Sequence, residues 1–308
     1  MSGARNTNHD IIDSMAKMAS KNMADLKVPL KVSDELKIKL RSLADRYEVP
    51  SFTEADPSQF LRWYQPEVGR GSLADVEVAS FIAAMLAFGN RKQFIPKIRQ
   101  VLETSERSLG SVSEWLKTGA YKNDFPHGEA KFYRFYSYDD MQVFFEELGD
   151  ILKEAGSLGE FVKAKMYDGG ATGVPPVRRG SGRPRSGLER GEGFPLLHEI
   201  LSSSFPKSAI VPKGRNSANK RIHMFLRWMV RRKSPVDLGL WDWADPTELL
   251  IPLDVHVMQE AVKLGLIPEG AAASRKTAEC LTAALAEVFP GDPCRGDFAL
   301  FGLGVDVI

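Results

Sequence analysis

Residues 73–88 read LADVEVASFIAAMLAF, and this segment predicts a core helix. Alanine and other apolar side chains occupy most positions around it, which is typical of a helix buried on most of its sides. Asp75 and Glu77 fall in the first turn, where the helix dipole favours carboxylates. Gly89-Asn90 follows directly and predicts the end of the helix.

Helical spacing of apolar residues recurs on both sides of this segment. Alternation of apolar and polar residues, which half-buried strands require, is scarce. The sequence therefore predicts an all-α, multi-helix fold. The other predicted helices cover residues 34–47, 57–64, 92–104, 108–118, 138–154, 157–166, 195–203, 217–232, 255–264 and 273–288.

Composition limits the classes of protein to which this chain can belong. Its 308 residues are 43% hydrophobic and 26% charged with a net charge of +1, as in ordinary globular proteins. Cys280 and Cys294 are too few for a disulfide framework or for a four-thiolate metal or iron–sulfur site. No apolar run reaches the roughly 18 residues of a membrane helix. These features predict a cytoplasmic protein that makes no membrane contact, and we expect a monomer.

Two segments depart from the helical pattern. Residues 1–33 are polar and predict a flexible lead-in before one helical domain at 34–308. Residues 168–193 read DGGATGVPPVRRGSGRPRSGLERGEG, a composition that cannot bury enough apolar surface to offset the entropy of ordering. A flexible insertion between two helices is the favoured interpretation, and an arginine-rich arm that contacts DNA is the alternative.

Positive charge is concentrated between residues 213 and 233, where no Asp or Glu occurs. Lys220, Arg227 and Arg231 recur at helical spacing, which predicts a common face apart from the apolar one. Ser217 is a candidate helix cap, and exposed N–H groups there could hold a phosphate. Such a basic surface favours a polyanionic partner, although many surface helices carry a merely solvated cationic face. The basic residues of the window are Lys213, Arg215, Lys220, Arg221, Arg227, Arg231, Arg232 and Lys233.

A second polar motif lies in the segment Leu250-Ile251-Pro252-Leu253-Asp254-Val255-His256-Val257. Asp254 is placed to cap the helix that follows Pro252, and the residues alone favour this structural role. Its apolar neighbours would also partly desolvate the carboxylate, as catalytic acids often require. His256 could cap the helix, contact a phosphate or pack.

The segment 251–257, followed by Leu264-Gly265-Leu266, resembles the helix-hairpin-helix DNA glycosylases, which include endonuclease III and the 8-oxoguanine DNA glycosylases. The wider pattern of residues 226–231, 251–254 and 297–301 resembles a bacterial family of uncharacterised proteins. That family is distantly similar to the archaeal 8-oxoguanine glycosylases. These resemblances imply a helix-hairpin-helix glycosylase-like fold over most of residues 35–308, apart from the 168–193 insertion.

The resemblance implies roles for individual residues. Lys220 matches the catalytic nucleophile and Asp254 the catalytic carboxylate, while His256 matches a contact to the DNA backbone. Gly89-Asn90-Arg91 matches residues that fill the gap left by a flipped base. The family's hairpin pattern is reduced here to Val211-Pro212-Lys213-Gly214, and the iron–sulfur cysteines of endonuclease III are absent. The implied DNA-binding residues are His256, Lys213, Gly214, Arg215, Arg221, Arg227, Arg231, Asn90 and Arg91.

The implied function is a DNA glycosylase with associated lyase activity. Its partner would be double-stranded DNA with a damaged base, with 8-oxoguanine favoured by the archaeal likeness. A damaged base must be flipped out of the duplex before Lys220 can attack the sugar. This chemistry needs neither a metal nor another cofactor. Two alternatives remain open: a non-catalytic DNA- or RNA-binding protein that keeps the glycosylase fold, and a helical scaffold for a protein partner.

Overall fold

A computed structural model describes residues 32–168 and 196–306 of the protein. The predicted lead-in at 1–33 and the insertion at 168–193 lie almost wholly outside the described residues, so both stay predictions. Within the described residues the chain is mostly helical, and the predicted all-α class is confirmed. No described helix is both long enough and apolar enough to cross a bilayer.

Twelve α-helices and one short antiparallel hairpin make up the regular structure of the described residues, together with five 3₁₀ helices. The α-helices are α1 (Asp34–Tyr47), α2 (Leu73–Leu86), α3 (Arg91–Leu109), α4 (Val112–Thr118), α5 (Tyr121–Asp124), α6 (Tyr138–Ala155), α7 (Leu158–Asp168), α8 (Leu197–Ser203), α9 (Lys220–Val230), α10 (Val255–Lys263), α11 (Arg275–Val288) and α12 (Gly296–Asp306). The strands are β1 (Lys131–Tyr133) and β2 (Tyr136–Ser137). The 3₁₀ helices are Pro50–Ala55, Pro57–Arg62, Pro66–Val68, Pro246–Glu248 and Pro293–Arg295.

The described chain divides into two compact units. Unit 1 consists of residues 32–49, Gly214–Lys220 and 246–306. Unit 2 consists of the described residues of Pro50–Lys213 together with Arg221–Asp245. Each unit therefore collects segments that are distant in the sequence. The single helical domain over 34–308 stays a prediction.

Unit 1 is built around α12, which packs against α1 and α10, while α11 also contacts α1. Its core contains Leu40, Val257, Leu281 and Leu300, all fully buried. The short Gly214–Lys220 segment is tied to this core. Its Ala218 is buried there, and its Asn216 carbonyl accepts a hydrogen bond from the Arg275 N–H at 2.9 Å.

Unit 2 surrounds α2, which is buried along almost its whole length as predicted. Ser72 and Asp75 cap its N-terminus reciprocally, each side chain accepting the other residue's backbone N–H. Glu77 is also buried, and its two oxygens accept hydrogen bonds from the Gly159 N–H at 2.9 Å and from the Trp241 indole at 2.8 Å. Burial raises the pKa of Glu77 despite these hydrogen bonds. The acidic first turn is thus part of the interior.

Some predicted boundaries are wrong. Helix α3 extends to Leu109 and α4 begins at Val112, because Gly110 ends α3 in the left-handed conformation at φ 69°. The hairpin was missed because strands of three and two residues are too short to show alternation. Helix α12 was missed as well. Its apolar residues lie on all sides, so it lacks the one-sided pattern that marks a surface helix.

Candidate active site

Lys220 and Asp254 meet in unit 1, although a long stretch of chain separates them. Lys220 is the first residue of α9, and Asp254 directly precedes α10 as its N-cap. The Lys220 Nζ lies 2.8 Å from the Asp254 Oδ2, which is both an ion pair and a hydrogen-bond distance. The two residues singled out from the sequence are therefore direct neighbours.

Asp254 uses its two carboxylate oxygens for different purposes. Its Oδ1 accepts a hydrogen bond from the Val257 N–H at 2.9 Å, which is the geometry of a helix cap, while Oδ2 contacts Lys220. The structural and the catalytic interpretations of this residue are therefore compatible. Burial opposes ionisation, but Lys220, the Val257 N–H and His256 outweigh it and hold the pKa of Asp254 below its usual value.

The pair is partly accessible. The side chains of Lys220 and Asp254 retain 34% and 16% of their exposure. Leu253 is buried in the unit 1 core, whereas Val255 is 64% exposed. The local chain thus anchors Asp254 on the side of the core, while the Lys220 amine keeps part of its exposure to solvent.

The lowered pKa of Asp254 predicts a pH-dependent contribution to stability. Such a carboxyl stabilises the fold above its unfolded pKa of about 4, and the contribution is lost as pH falls through the lower native pKa. We expect Asp254→Asn, which keeps a capping oxygen, to be less stable than wild type at neutral pH. Urea unfolding followed by circular dichroism should show this difference shrinking below about pH 4. A difference that stays constant into strong acid would contradict the prediction.

The loop before Lys220 differs from the prediction. The helix begins at Lys220 rather than at residue 217, and Ser217 forms an isolated β-bridge with Ser274 instead of capping α9. The Ser217 hydroxyl accepts the Asn219 N–H at 3.3 Å, and the Asn219 side chain donates to the Gly214 carbonyl at 2.9 Å. Asn219 itself takes a positive φ of 41°. The loop therefore closes on itself immediately before the lysine.

Arg227 and Arg231 were predicted to lie on an exposed basic face that contacts DNA, and this prediction is wrong. Arg227 and Arg231 retain only 3% and 1% of their exposure and lie inside unit 2. Both pair with buried Asp237: Arg227 Nε lies 3.3 Å from Oδ1, and Arg231 Nη1 donates to Oδ2. Asp237 lies just beyond the acid-free window of residues 213–233, so the composition of that window gave no sign of a buried counter-charge.

The other predicted DNA-binding residues are found in varied surroundings. Exposed Lys213 donates to the carbonyls of Pro206 and Ser208 at 2.9 and 2.6 Å. Gly214 and Arg215 are exposed in unit 1. Half-buried His256 packs closely beside Gly304 of α12.

In unit 2, Arg221 is half-buried. It donates to the Met85 carbonyl and, at 3.2 Å, to the Tyr136 hydroxyl. Exposed Asn90 caps α3 by accepting the Lys92 N–H at 2.9 Å, and Arg91 lies 4.0 Å from Asp56. The role of each of these residues in DNA binding stays a prediction.

Trp228 and Trp241 are both buried in unit 2, whereas Trp243 is half-buried and its ring stacks on that of Trp241 with centroids 5.4 Å apart. Sequence spacing gave no sign that His198 and His223 meet, yet their rings are in contact in unit 2, tilted by 49° with centroids 4.8 Å apart. Among residues 32–168 and 196–306, no three His, Cys, Asp or Glu side chains are arranged to hold a metal ion.

The described chain is thus a mostly helical protein with a partly exposed lysine–aspartate pair. A family model described as "Protein of unknown function (DUF2400)" matches residues 56–306, and the chain belongs to this family. Neither the curated proteins nor the solved structures include a significant match to the chain. The expected likeness to a family of uncharacterised proteins is confirmed.

Proposed function

We propose that this protein is a DNA glycosylase with associated lyase activity, built on a helix-hairpin-helix glycosylase-like fold. Lys220 acts as the nucleophile and Asp254 as the catalytic carboxylate. The observation that carries the proposal is the 2.8 Å distance between Lys220 Nζ and Asp254 Oδ2. Lys220 and Asp254 were chosen from a sequence resemblance alone, and they lie next to each other at a partly exposed position. A chance resemblance gives no reason to expect this proximity.

The pair can supply the chemistry of base removal. A proton can pass from the Lys220 ammonium to Asp254 along their hydrogen bond, leaving a neutral amine. The amine lone pair then bonds to the sugar C1′ while the C1′–N bond breaks, and the electron pair leaves with the base, which takes up a proton. That proton comes from Asp254, which thereby returns to its anionic form and stabilises the positive charge left on the sugar–lysine adduct.

The lyase step follows from the same intermediate. Loss of a proton from nitrogen and opening of the sugar ring give an imine between Lys220 and C1′. Removal of a C2′ proton then expels the 3′ phosphate, and water hydrolyses the imine to release the lysine. A duplex with a damaged base is the proposed substrate, and 8-oxoguanine is the base we favour. Exposed Lys213 and Arg215 are candidates to contact phosphates.

Borohydride trapping tests the proposal directly. Wild-type protein is incubated with duplexes that contain 8-oxoguanine, uracil or an abasic site, and borohydride reduces any imine to a stable amine. We expect a covalent complex whose crosslinked peptide, identified by mass spectrometry, contains Lys220. The lesion that traps most rapidly identifies the substrate.

The alternative function gives a different result in the same experiment. A non-catalytic nucleic-acid-binding protein would bind the duplexes in a salt-dependent manner, release no base and form no covalent complex. Binding without trapping on any lesion would therefore replace the enzymatic proposal. Trapping at another lysine would keep the lyase activity but reject the role assigned to Lys220.

A further inference from the structure

The β1–β2 hairpin of unit 2 presents an aromatic side chain to solvent. Arg134 and Phe135 form its turn, and Phe135 retains 59% of its exposure, whereas Phe132 on β1 is buried. Arg134 takes a positive φ of 51°, which non-glycine residues rarely adopt. A hydrophobic ring at the tip of this two-residue turn contributes little to the core, and its exposed face is accessible to a ligand.

Other rings hold Phe135 in place from beneath. The Phe135 ring lies 4.6 Å from that of Tyr136 and 5.3 Å from that of Phe88, measured between centroids. Phe88 in turn lies 5.4 Å from Tyr136 in an edge-to-face contact. The Phe88 carbonyl also accepts a hydrogen bond from the Tyr133 hydroxyl, which ties the hairpin to the segment that follows α2. Phe135 is therefore positioned before any ligand arrives.

Three cationic side chains surround these rings. The Arg221 Cζ lies 4.9 Å from the centroid of Phe88, and the Arg134 Cζ lies 5.8 Å from the same ring. The Lys131 ammonium donates to the Phe135 carbonyl at 3.0 Å. Their partners are a ring, a hydroxyl and carbonyls, and in the described part of the chain none of the three forms an ion pair with a carboxylate. Within ion-pair distance, the three cations around Phe135 therefore have no carboxylate partner among the described residues.

We propose that this hairpin-tip surface, formed by Phe135, Phe88, Tyr136, Lys131, Arg134 and Arg221, binds single-stranded DNA by stacking Phe135 on an unpaired base. The exposed ring matches the face of a base, and the surrounding cations match the phosphates on either side of it. An acidic peptide would satisfy the cations but would leave the ring without a π-stacking partner. The inference does not depend on base excision, because the surface contains neither Lys220 nor Asp254.

Fluorescence anisotropy tests this inference with a labelled oligothymidylate of about 12 nucleotides, a length typical of single-strand sites. We expect Phe135→Ala to weaken binding about 10-fold and Phe135→Trp to retain it, since one stacked base is lost in the first variant only. Leu109→Ala is the matched control, because Leu109 is another exposed apolar residue of unit 2 and should leave affinity unchanged. Arg134→Gln should reduce the salt dependence by about one phosphate contact.

Two further ligands separate stacking from simple charge attraction. An oligomer of the same length with abasic sugars keeps every phosphate but has no bases, and we expect it to bind about as weakly to wild type as oligothymidylate binds to Phe135→Ala. The inference would be overturned if wild type bound the abasic oligomer or a polyglutamate peptide as tightly as it binds oligothymidylate. An affinity of Phe135→Ala for oligothymidylate equal to that of wild type would overturn it as well.

Borohydride trapping at Lys220 provides an independent readout. If trapping fails while oligothymidylate binding still depends on Phe135, the proposed enzymatic function is rejected and the single-strand-binding surface is retained. If trapping succeeds while oligothymidylate binding does not depend on Phe135, the single-strand-binding surface is rejected and the proposed enzymatic function is retained.

Discussion

The Lys220→Gln variant is expected to form no borohydride-trapped complex with any damaged duplex. Glutamine keeps most of the side-chain length but offers no nucleophilic amine, so the imine cannot form. The loss should be complete within detection, because removing a covalent nucleophile commonly lowers rates by about 10⁴-fold or more. Duplex affinity, measured by anisotropy, should change by less than the effect on trapping, since only one cation is removed.

The matched control for this variant is Lys263→Gln. Lys263 also lies in unit 1 and also pairs with a largely buried carboxylate, as its Nζ is 2.6 Å from Glu260. It should trap like wild type. Loss of trapping in both variants would point to a general effect on the unit rather than to catalysis at Lys220.

Asp254→Asn completes the comparison. Asparagine is a good helix cap, so α10 should keep its N-terminus while the negative charge is lost. We expect base release to fall by about 10²–10³-fold with little change in duplex affinity, as for the loss of one electrostatic group at a reacting centre. A wild-type rate in this variant would assign Asp254 to capping alone.

The Asp237→Ala variant is expected to cause the largest loss of stability in unit 2. The change removes the carboxylate that buried Arg227 and Arg231 share. Removing one partner from a buried ion pair costs about 3–5 kcal/mol, because a desolvated charge remains without compensation. Tryptophan fluorescence in urea measures this loss specifically, since all five Trp residues of the chain lie in unit 2.

An exposed ion pair of unit 2 supplies the control. Asp150 lies 3.0 Å from Lys153 with both side chains more than half exposed, and Asp150→Ala should cost less than about 1 kcal/mol. The triple variant with Asp237→Leu, Arg227→Met and Arg231→Met should recover most of the stability, because a buried ionic network can often be replaced by apolar residues. An Asp237→Ala variant as stable as Asp150→Ala would show that this network contributes little.

Local signals explain what could be read from the sequence. Helical periodicity and cap chemistry act within a few residues, so the positions of α1, α2 and α10 followed from their own segments. Asp254 was placed correctly at the N-cap of α10 for the same reason. That Lys220 and Asp254 lie next to each other could not be predicted from such local signals and was expected only from a family resemblance.

Helical spacing also misled where burial depends on a distant partner. It placed Arg227 and Arg231 on a face apart from the apolar one, but spacing cannot say whether that face meets solvent or another part of the chain. Asp237 supplied a buried counter-charge, which made it possible to bury two guanidinium groups. The exposed Phe135 was overlooked for a related reason, since its short hairpin has too few residues to produce a periodic pattern.

The sequence by itself determined the all-α class, most helix positions and the cap at Asp254, because these depend on interactions between residues close in the chain. The tertiary structure decided which charges are buried, which ring is exposed and that Lys220 lies against Asp254. Those properties depend on contacts between residues far apart in sequence, and only the folded chain brings such residues together.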